Sequence, residues 1–316
     1  MKRLSSFLIK INSINSIYGS IALNNRRYSI KDSLQKHGRI IKGIGGLYYI
    51  DTDEGIFFCR AKGLFRKLGV EPIIGDFVTI SVISSQLKEG IILEISPRFN
   101  QLLRPKVSNI NQSVLVFSTT DPPINLDLLD RLTILSEEQD LNVIIVLNKI
   151  DKLPYSKVKE IYEKIGYCVI YTSVIKKEGL DKLVTLLNGK VTVFCGPSGV
   201  GKSSLINCIV PDAYMEVGEI SQKGKRGRHT TRFSKLIKTE NGYIVDSPGF
   251  SSLNLNFEKK LLAKYFREFL PYINNCRFKD CNHIQEPDCN VKQNVPNVIT
   301  KERYERYVTL YKELNK

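Results

Sequence analysis

The chain has 316 residues, 42% hydrophobic and 25% charged, with 47 Lys and Arg against 32 Asp and Glu, a formal net charge of +15. That composition is globular and long enough for two or three domains, and it excludes a mainly disordered, collagen-like or disulfide-framework protein. No apolar run reaches the length of a membrane span, so no membrane partner is expected. The charge is segregated. Residues 1–36 carry seven basic side chains against Asp32 alone, and residues 222–238 carry seven more with no acid. Two concentrated patches point to a polyanion partner such as nucleic acid.

In chain order, residues 1–37 read as a basic N-terminal extension. Its apolar stretch LSSFLI is cut by Lys10 and gives way to Asn- and Ser-rich sequence, unlike a secretory signal. Residues 38–100 have a β texture. GGLYYIDTD, GIFFCRAKG, GDFVTISVI and GIILEIS are short apolar runs separated by turn residues, which predicts a small OB-type β-barrel. Arg60, Lys62, Arg66 and Lys67, with Phe65 interleaved, form its candidate RNA patch.

Residues 101–255 change rhythm. Apolar strands at 113–119, 142–148, 167–173 and 191–196 alternate with amphipathic helical stretches, the pattern of an α/β parallel sheet flanked by helices. Residues 256–316 read as helical, interrupted by a Cys/His cluster. The terminal helix lines Tyr304, Tyr307 (or Val308), Tyr311 and Leu314 along one face, a packing stripe at helical spacing with an RNA platform as the alternative. Of the seven cysteines, Cys59, Cys168, Cys195 and Cys208 lie in apolar runs and read as core residues of a protein from a reducing cytoplasm.

Several segments carry recognisable chemistry. Gly196-Pro197-Ser198-Gly199-Val200-Gly201-Lys202-Ser203 fits the phosphate loop G-x-x-x-x-G-K-[ST], after a strand and before a helix that continues with Ser204. Its glycines let backbone N–H groups converge on phosphate oxygens, with Lys202 reaching the β/γ-phosphates and Ser203 binding Mg²⁺. Asn148-Lys149-Ile150-Asp151 ends a buried strand, where α/β sheets bind ligands. The Asp151 carboxylate accepts from guanine N1–H and the 2-amino group, which adenine lacks. Asn148 can contact the N7/O6 edge and the Lys149 stem can pack on the ring. Thr172-Ser173 forms a second candidate base-contacting loop. Asp246-Ser247-Pro248-Gly249 comes after another strand. There Asp246 would hold Mg²⁺ and the Gly249 N–H would meet the γ-phosphate. Cys276-x4-Cys281-x-His283-x5-Cys289 offers three thiolates and an imidazole, a closed structural Zn²⁺ set with a disulfide or chance cluster as the alternative.

These motifs resemble the translation-factor-related GTPases, but in permuted order. The base-reading motif precedes the phosphate loop, which precedes D-S-P-G. A β-barrel, a permuted GTPase and a C-x4-C-x-H-x5-C segment together resemble the bacterial small-subunit-dependent RsgA (YjeQ) GTPase family over roughly residues 38–316. The resemblance implies GTP hydrolysis to GDP stimulated by the 30S ribosomal subunit, a late role in 30S maturation and contact with 16S rRNA. It also makes Gly227-Arg228-His229-Thr230-Thr231 a switch, with either Thr sensing Mg²⁺. His229 is then a candidate for positioning water, because Phe250 stands where many GTPases carry Gln. A cytoplasmic monomer is the simplest expectation. Two rival functions stay open: a GTP-sensing RNA-binding scaffold with little turnover, and a GTPase of the 50S subunit.

Overall fold

The computed structural model describes residues 34–103, 105–153, 157–210, 234–246 (Asp246 by its backbone alone), 255 and 257–314. The described chain forms two units. One runs to Ile110 and also takes in Lys235–Ile237 and the backbone of residues 245 and 246; the other holds the rest of the chain from Asn111 onward.

In the first unit, β1 (Gln35–Ile44), β2 (Leu47–Thr52), β3 (Gly55–Ala61), β4 (Phe77–Ser84) and β5 (Glu89–Ile95) close into a five-stranded barrel. The pairings are β1–β2, β2–β3, β3–β5, β5–β4 and back from β4 to β1. Inward positions keep the period of two. Ile40, Ile50, Phe57, Cys59, Ile80 and Ile92 are fully buried and fill the core. Closing a sheet removes the free edges that an open five-stranded sheet would expose. The short helix α1 (Gly63–Lys67) plugs one end with Phe65. β6 (Gln101–Leu103) and β7 (Lys106–Ser108) form an antiparallel hairpin after the barrel strands. It is tied to the barrel through Asp76, fully buried, which accepts from Arg98 at 2.6 and 2.7 Å, Ser108 Oγ at 2.6 Å and Ile73 N at 2.8 Å.

The second unit is the α/β layer. Parallel strands run in the order β10 (Cys168–Thr172), β9 (Asn142–Asn148), β8 (Gln112–Ser118), β11 (Val191–Cys195), with the first residues of β13 (Gly242–Asp246) beyond. Between β11 and β13 in the chain comes β12 (Lys235–Thr239). Val114, Leu115, Val116 and Phe117 are all fully buried, as are Ile144 to Leu147, so these strands are continuous apolar runs covered on both faces. Helices α2 (Leu126–Glu138), α3 (Lys157–Lys164), α4 (Leu180–Leu187) and α5 (Lys202–Ile209) connect them. The Asn125 side chain caps α2 by accepting from Leu128 N at 3.0 Å, and Asp127 in its first turn complements the helix dipole.

The C-terminal region is built largely from 3₁₀ turns (Lys259–Tyr265, Arg267–Phe269, Ile273–Asn275), then α6 (Asn290–Gln293) and α7 (Lys301–Glu313). Tyr307, Leu310 and Tyr311 of α7 are buried against Leu262, Phe266 and Phe269, together with Ile134 of α2. The tyrosine stripe is therefore packing. Cys208, expected in the core, is exposed on α5, whose buried residues are Leu205 and Ile206.

Candidate nucleotide site and metal centre

Three of the sequence-predicted motifs meet at the carboxyl edge of the parallel sheet. The phosphate loop, 196–201, joins β11 to α5, with Gly196, Gly199 and Gly201 at φ of +139°, +81° and +93°. At two of these positions a side chain has no room. A Cβ at Gly196 would lie 2.1 Å from Val116 O, and one at Gly201 would lie 2.5 Å from Asn148 Nδ2. Gly201 caps α5, so the first turn of that helix (Lys202, Ser203, Ser204) begins at the loop and directs its free N–H groups there. Lys202 Nζ lies inside the loop, donating to Gly196 O at 2.8 Å and Pro197 O at 2.6 Å. Burial lowers its pKa below the ordinary lysine value.

Asn148, at the end of β9, ties the site together. Its Nδ2 donates to Val200 O of the phosphate loop at 2.8 Å, and its Oδ1 accepts from Thr172 Oγ1 at 3.0 Å. One buried amide thus joins N-K-I-D, the phosphate loop and the Thr172-Ser173 loop. The sequence reading gave Asn148 the N7/O6 edge of the base; the structure commits its amide to these two loops. Asp151 accepts from Ser173 Oγ at 2.6 Å. That hydrogen bond, with Lys176 and Lys152 nearby, holds its carboxyl below the ordinary value, so it is an ionised acceptor. Lys149, at φ +65°, donates from Nζ to Asp121 O, and Ile150 N bonds Thr172 O at 3.3 Å.

Sequence reasoning passed over the Ser118–Pro123 segment at the end of β8. Ser118 Oγ accepts from the N–H groups of Thr120 and Asp121, Thr119 Oγ1 donates to Lys149 O, and Pro122 lies 3.6 Å from where a Gly199 Cβ would stand. This turn is a fourth wall of the site. Its place after a buried parallel strand was the available signal.

His229, Thr230, Thr231 and Gly249 lie outside the described residues, as does the side chain of Asp246, whose backbone ends β13. The barrel patch needs correction. Phe65 is 5% exposed and belongs to the core, because the first turn after β3 folds it inward, so it offers no ring to RNA.

Cys276, Cys281, His283 and Cys289 converge, their ligand atoms all within 4.8 Å of one another. Cys276 Sγ is 3.9 Å from Cys289 Sγ, and His283 Nδ1 is 3.5 and 3.4 Å from these sulfurs. Tetrahedral Zn–S bonds near 2.3 Å separate sulfurs by about 3.8 Å, whereas a disulfide brings them to about 2.05 Å. The donor set therefore fits a closed tetrahedral zinc and not a disulfide. Around it, Tyr304 OH donates to His283 O and Tyr307 OH to Asn282 O, both at 2.7 Å. Glu286 accepts from the backbone N–H groups of Asn282, Ile284 and Gln285. Burial pushes its carboxyl up, but hydrogen bonds from Asn282 and the backbone around Ile284 outweigh that and bring it down to about 2.

Residues 95–256 match the model of the RsgA GTPase family, and residues 37–92 that of the RsgA N-terminal domain. The chain is 43% identical over 282 residues to the small ribosomal subunit biogenesis GTPase RsgA of Caldanaerobacter subterraneus subsp. tengcongensis, covering 88% of this chain and 95% of that one. It is 45% identical over 285 residues to the protein of the same name from Alkaliphilus metalliredigens, covering 88% and 98%. Among solved structures, it is similar to YloQ, a circularly permuted GTPase, with a TM-score of 0.77 at 34% identity over 92% of this chain and 98% of that one. YjeQ from Thermotoga maritima gives a TM-score of 0.77 at 33% identity, covering 89% and 99%. With its N-K-I-D strand ahead of its phosphate loop, its N-terminal barrel and its Cys3His cluster, the chain belongs to the RsgA family of circularly permuted GTPases.

Proposed function

We propose that this chain hydrolyses GTP to GDP and phosphate during biogenesis of the small ribosomal subunit, the role that the names of its relatives give to them. The observation that carries the reading is Asn148, which joins the base-reading strand, the phosphate loop and the Thr172-Ser173 loop in one buried hydrogen-bonded tie. In this mechanism Asp151 accepts from the guanine N1–H and 2-amino groups. The loop N–H groups of 196–201 cradle the phosphates, and Lys202 turns from the carbonyls of Gly196 and Pro197 to the β/γ-phosphate oxygens. Ser203 and Asp246 are the residues to hold Mg²⁺, which would neutralise charge developing on the transferred phosphoryl group. Gly249 N–H meets the γ-phosphate, and Thr230 or Thr231 completes the switch.

Phe250 can position no water, so intrinsic hydrolysis is slow. The 30S subunit raises it through contact with the basic 222–238 segment, with His229 orienting the attacking water. Cys276, Cys281, His283 and Cys289 hold one structural zinc, which staples the C-terminal region and takes no part in hydrolysis. The barrel and the basic segments contact 16S rRNA, and the protein works as a cytoplasmic monomer. Among the described residues no helix is long and apolar enough to cross a membrane.

The test is phosphate release measured with 30S subunits, 50S subunits and naked rRNA in parallel. Stimulation by 30S alone is expected. Equal stimulation by 50S, or GTP binding without turnover under every condition, would overturn the reading. Loss of 30S-stimulated single-turnover hydrolysis in His229→Ala, with GTP affinity kept, is the result expected for the water-positioning role.

A further inference from the structure

The two halves of the base-reading site stand at opposite ends of one crossover. N-K-I-D closes β9, the chain then runs through α3 and the turn 165–167, and β10 ends at Thr172 with Ser173 beyond. β10 pairs with β9 in parallel register, Cys168 with Ile144 and Thr172 with Asn148, and it stands last in the strand order of the sheet. An edge strand is hydrogen-bonded along one side only, so what grips its connections decides how firmly it is held. The C-terminal region grips this crossover twice. Arg303 of α7 and Tyr162 of α3 both donate to Asp130 of α2, and all three are fully buried. A turn further along the chain, Arg267 donates from Nε to Glu137 of α2 at 2.5 Å and from Nη1 to Gly166 O at 2.9 Å. Its guanidinium also lies 4.2 Å from the centroid of the buried Tyr167 ring. Gly166, at φ +96°, and Tyr167 are the residues from which β10 sets out, and Tyr167 N bonds Tyr162 O at 3.0 Å. Arg267 thus places one cation at the C-terminal ends of α2 and α3 together, where helix carbonyls lack partners.

We infer, resting on the guanine reading of the site, that Arg267 is a positioning residue for base recognition: through it the C-terminal region fixes the start of β10, and hence the place where Ser173 meets Asp151. Only five extended residues lie in β10, in register with β9, so the strand carries a displacement along its length instead of absorbing it. The hydrogen bond at its far end, Ser173 Oγ to Asp151 at 2.6 Å, has little slack. Moving Ser173 lengthens it and frees the carboxylate to turn away from the two guanine donors. Linkage in binding is reciprocal, so bound guanine nucleotide should tighten the seat of the C-terminal region in turn.

The experiment compares GDP with IDP, whose base lacks the 2-amino group, by calorimetric titration of the full chain and of Arg267→Met. Methionine keeps an apolar stem near Tyr167 and removes both hydrogen bonds. GDP affinity should fall about fivefold and IDP affinity by less, narrowing the preference for GDP by about threefold. A merely loosened fold would weaken both nucleotides alike and leave the preference unchanged. Arg267→Lys keeps the charge beside Glu137 without the fork to Gly166 O, so its preference should fall between the two. It carries the test alone if the methionine variant does not fold. Combining Arg267→Met with Ser173→Ala should cost less than the sum of the two single changes, because both act on Asp151. GDP should also slow amide hydrogen exchange in α7 of the unaltered chain, and do so less in Arg267→Met. An unchanged GDP preference in the variants, full additivity with Ser173→Ala, or no effect of GDP on exchange in α7 would overturn the proposal alone. Failure of the unaltered chain to bind either nucleotide would overturn the GTPase reading and the proposal with it.

Discussion

At the scale of single residues, the site depends on side chains whose hydrogen-bonding capacity is nearly used up before any base is bound. Asn148→Ala removes the donor to Val200 O and the acceptor for Thr172 Oγ1, leaving two polar groups of the site unpaired. A loss of that kind costs about 1–3 kcal/mol. GDP and GTP affinity should both fall by about tenfold or more, read with a fluorescent guanine nucleotide, and loss of GTP affinity alone would argue against the tie. Ser173 acts differently. Its hydroxyl donates to Asp151 and is the main reason that carboxyl titrates below its ordinary value. Removing the donor in Ser173→Ala should raise the Asp151 pKa, so the carboxylate needed for guanine is lost at a higher pH as the solution is acidified. An NMR titration of the Asp151 side chain shows the direction. The two motifs stood out in the sequence because each is local: the G-x-x-x-x-G-K-S run takes eight residues and N-K-I-D four. What Asn148 bonds to was not legible, since Val200 is 52 residues away and nothing in N-K-I-D specifies it.

At the scale of elements, the unforeseen feature is how α2 and α7 are joined. Asp130 lies on the buried side of α2, 0% exposed, and accepts from Arg303, Arg306 and Tyr162 OH. Arg303, also 0% exposed, is held on its other side by Glu268, from Nε at 2.7 Å and NH2 at 3.1 Å. In sequence an acid on an amphipathic helix reads as a solvated position, because the rule that charges face water fails only where a partner arrives from far along the chain. Asp130 and Arg303 are 173 residues apart. The same distance effect hid β1, which pairs with β4 across the intervening strands β2 and β3. It did not hide the Cys/His cluster, whose four donors span fourteen residues. For the buried network, Arg303→Met leaves Glu268 without its partner and Asp130 with one arginine fewer. The expected cost is about 3–5 kcal/mol, visible as a lower thermal midpoint. Adding Glu268→Leu should recover part of that loss, because an apolar pair replaces an orphaned buried charge. Strictly additive effects of the two changes would mean that they do not interact.

At the scale of the whole molecule, the excess positive charge is concentrated in two stretches of the chain, 1–36 and 222–238. The barrel, the α/β sheet and the C-terminal region lie within the described residues, whereas residues 1–33 lie outside them, and the family models begin at residue 37. Residues 1–33 carry six basic side chains against Asp32. Their charge predicts a contribution that is electrostatic and confined to association. Each phosphate neutralised on RNA steepens the dependence of log affinity on log salt by about 0.7–0.9. A chain lacking residues 1–33 should therefore bind 30S subunits with a shallower salt slope, by up to about five such increments. Its intrinsic GTP hydrolysis and its zinc content should match those of the full chain. The affinity difference should shrink as salt is raised and vanish where screening confines surface charges to a few ångströms. An unchanged slope would show that the extension carries its charge away from the ribosome. A change in intrinsic hydrolysis would show that it reaches the nucleotide site.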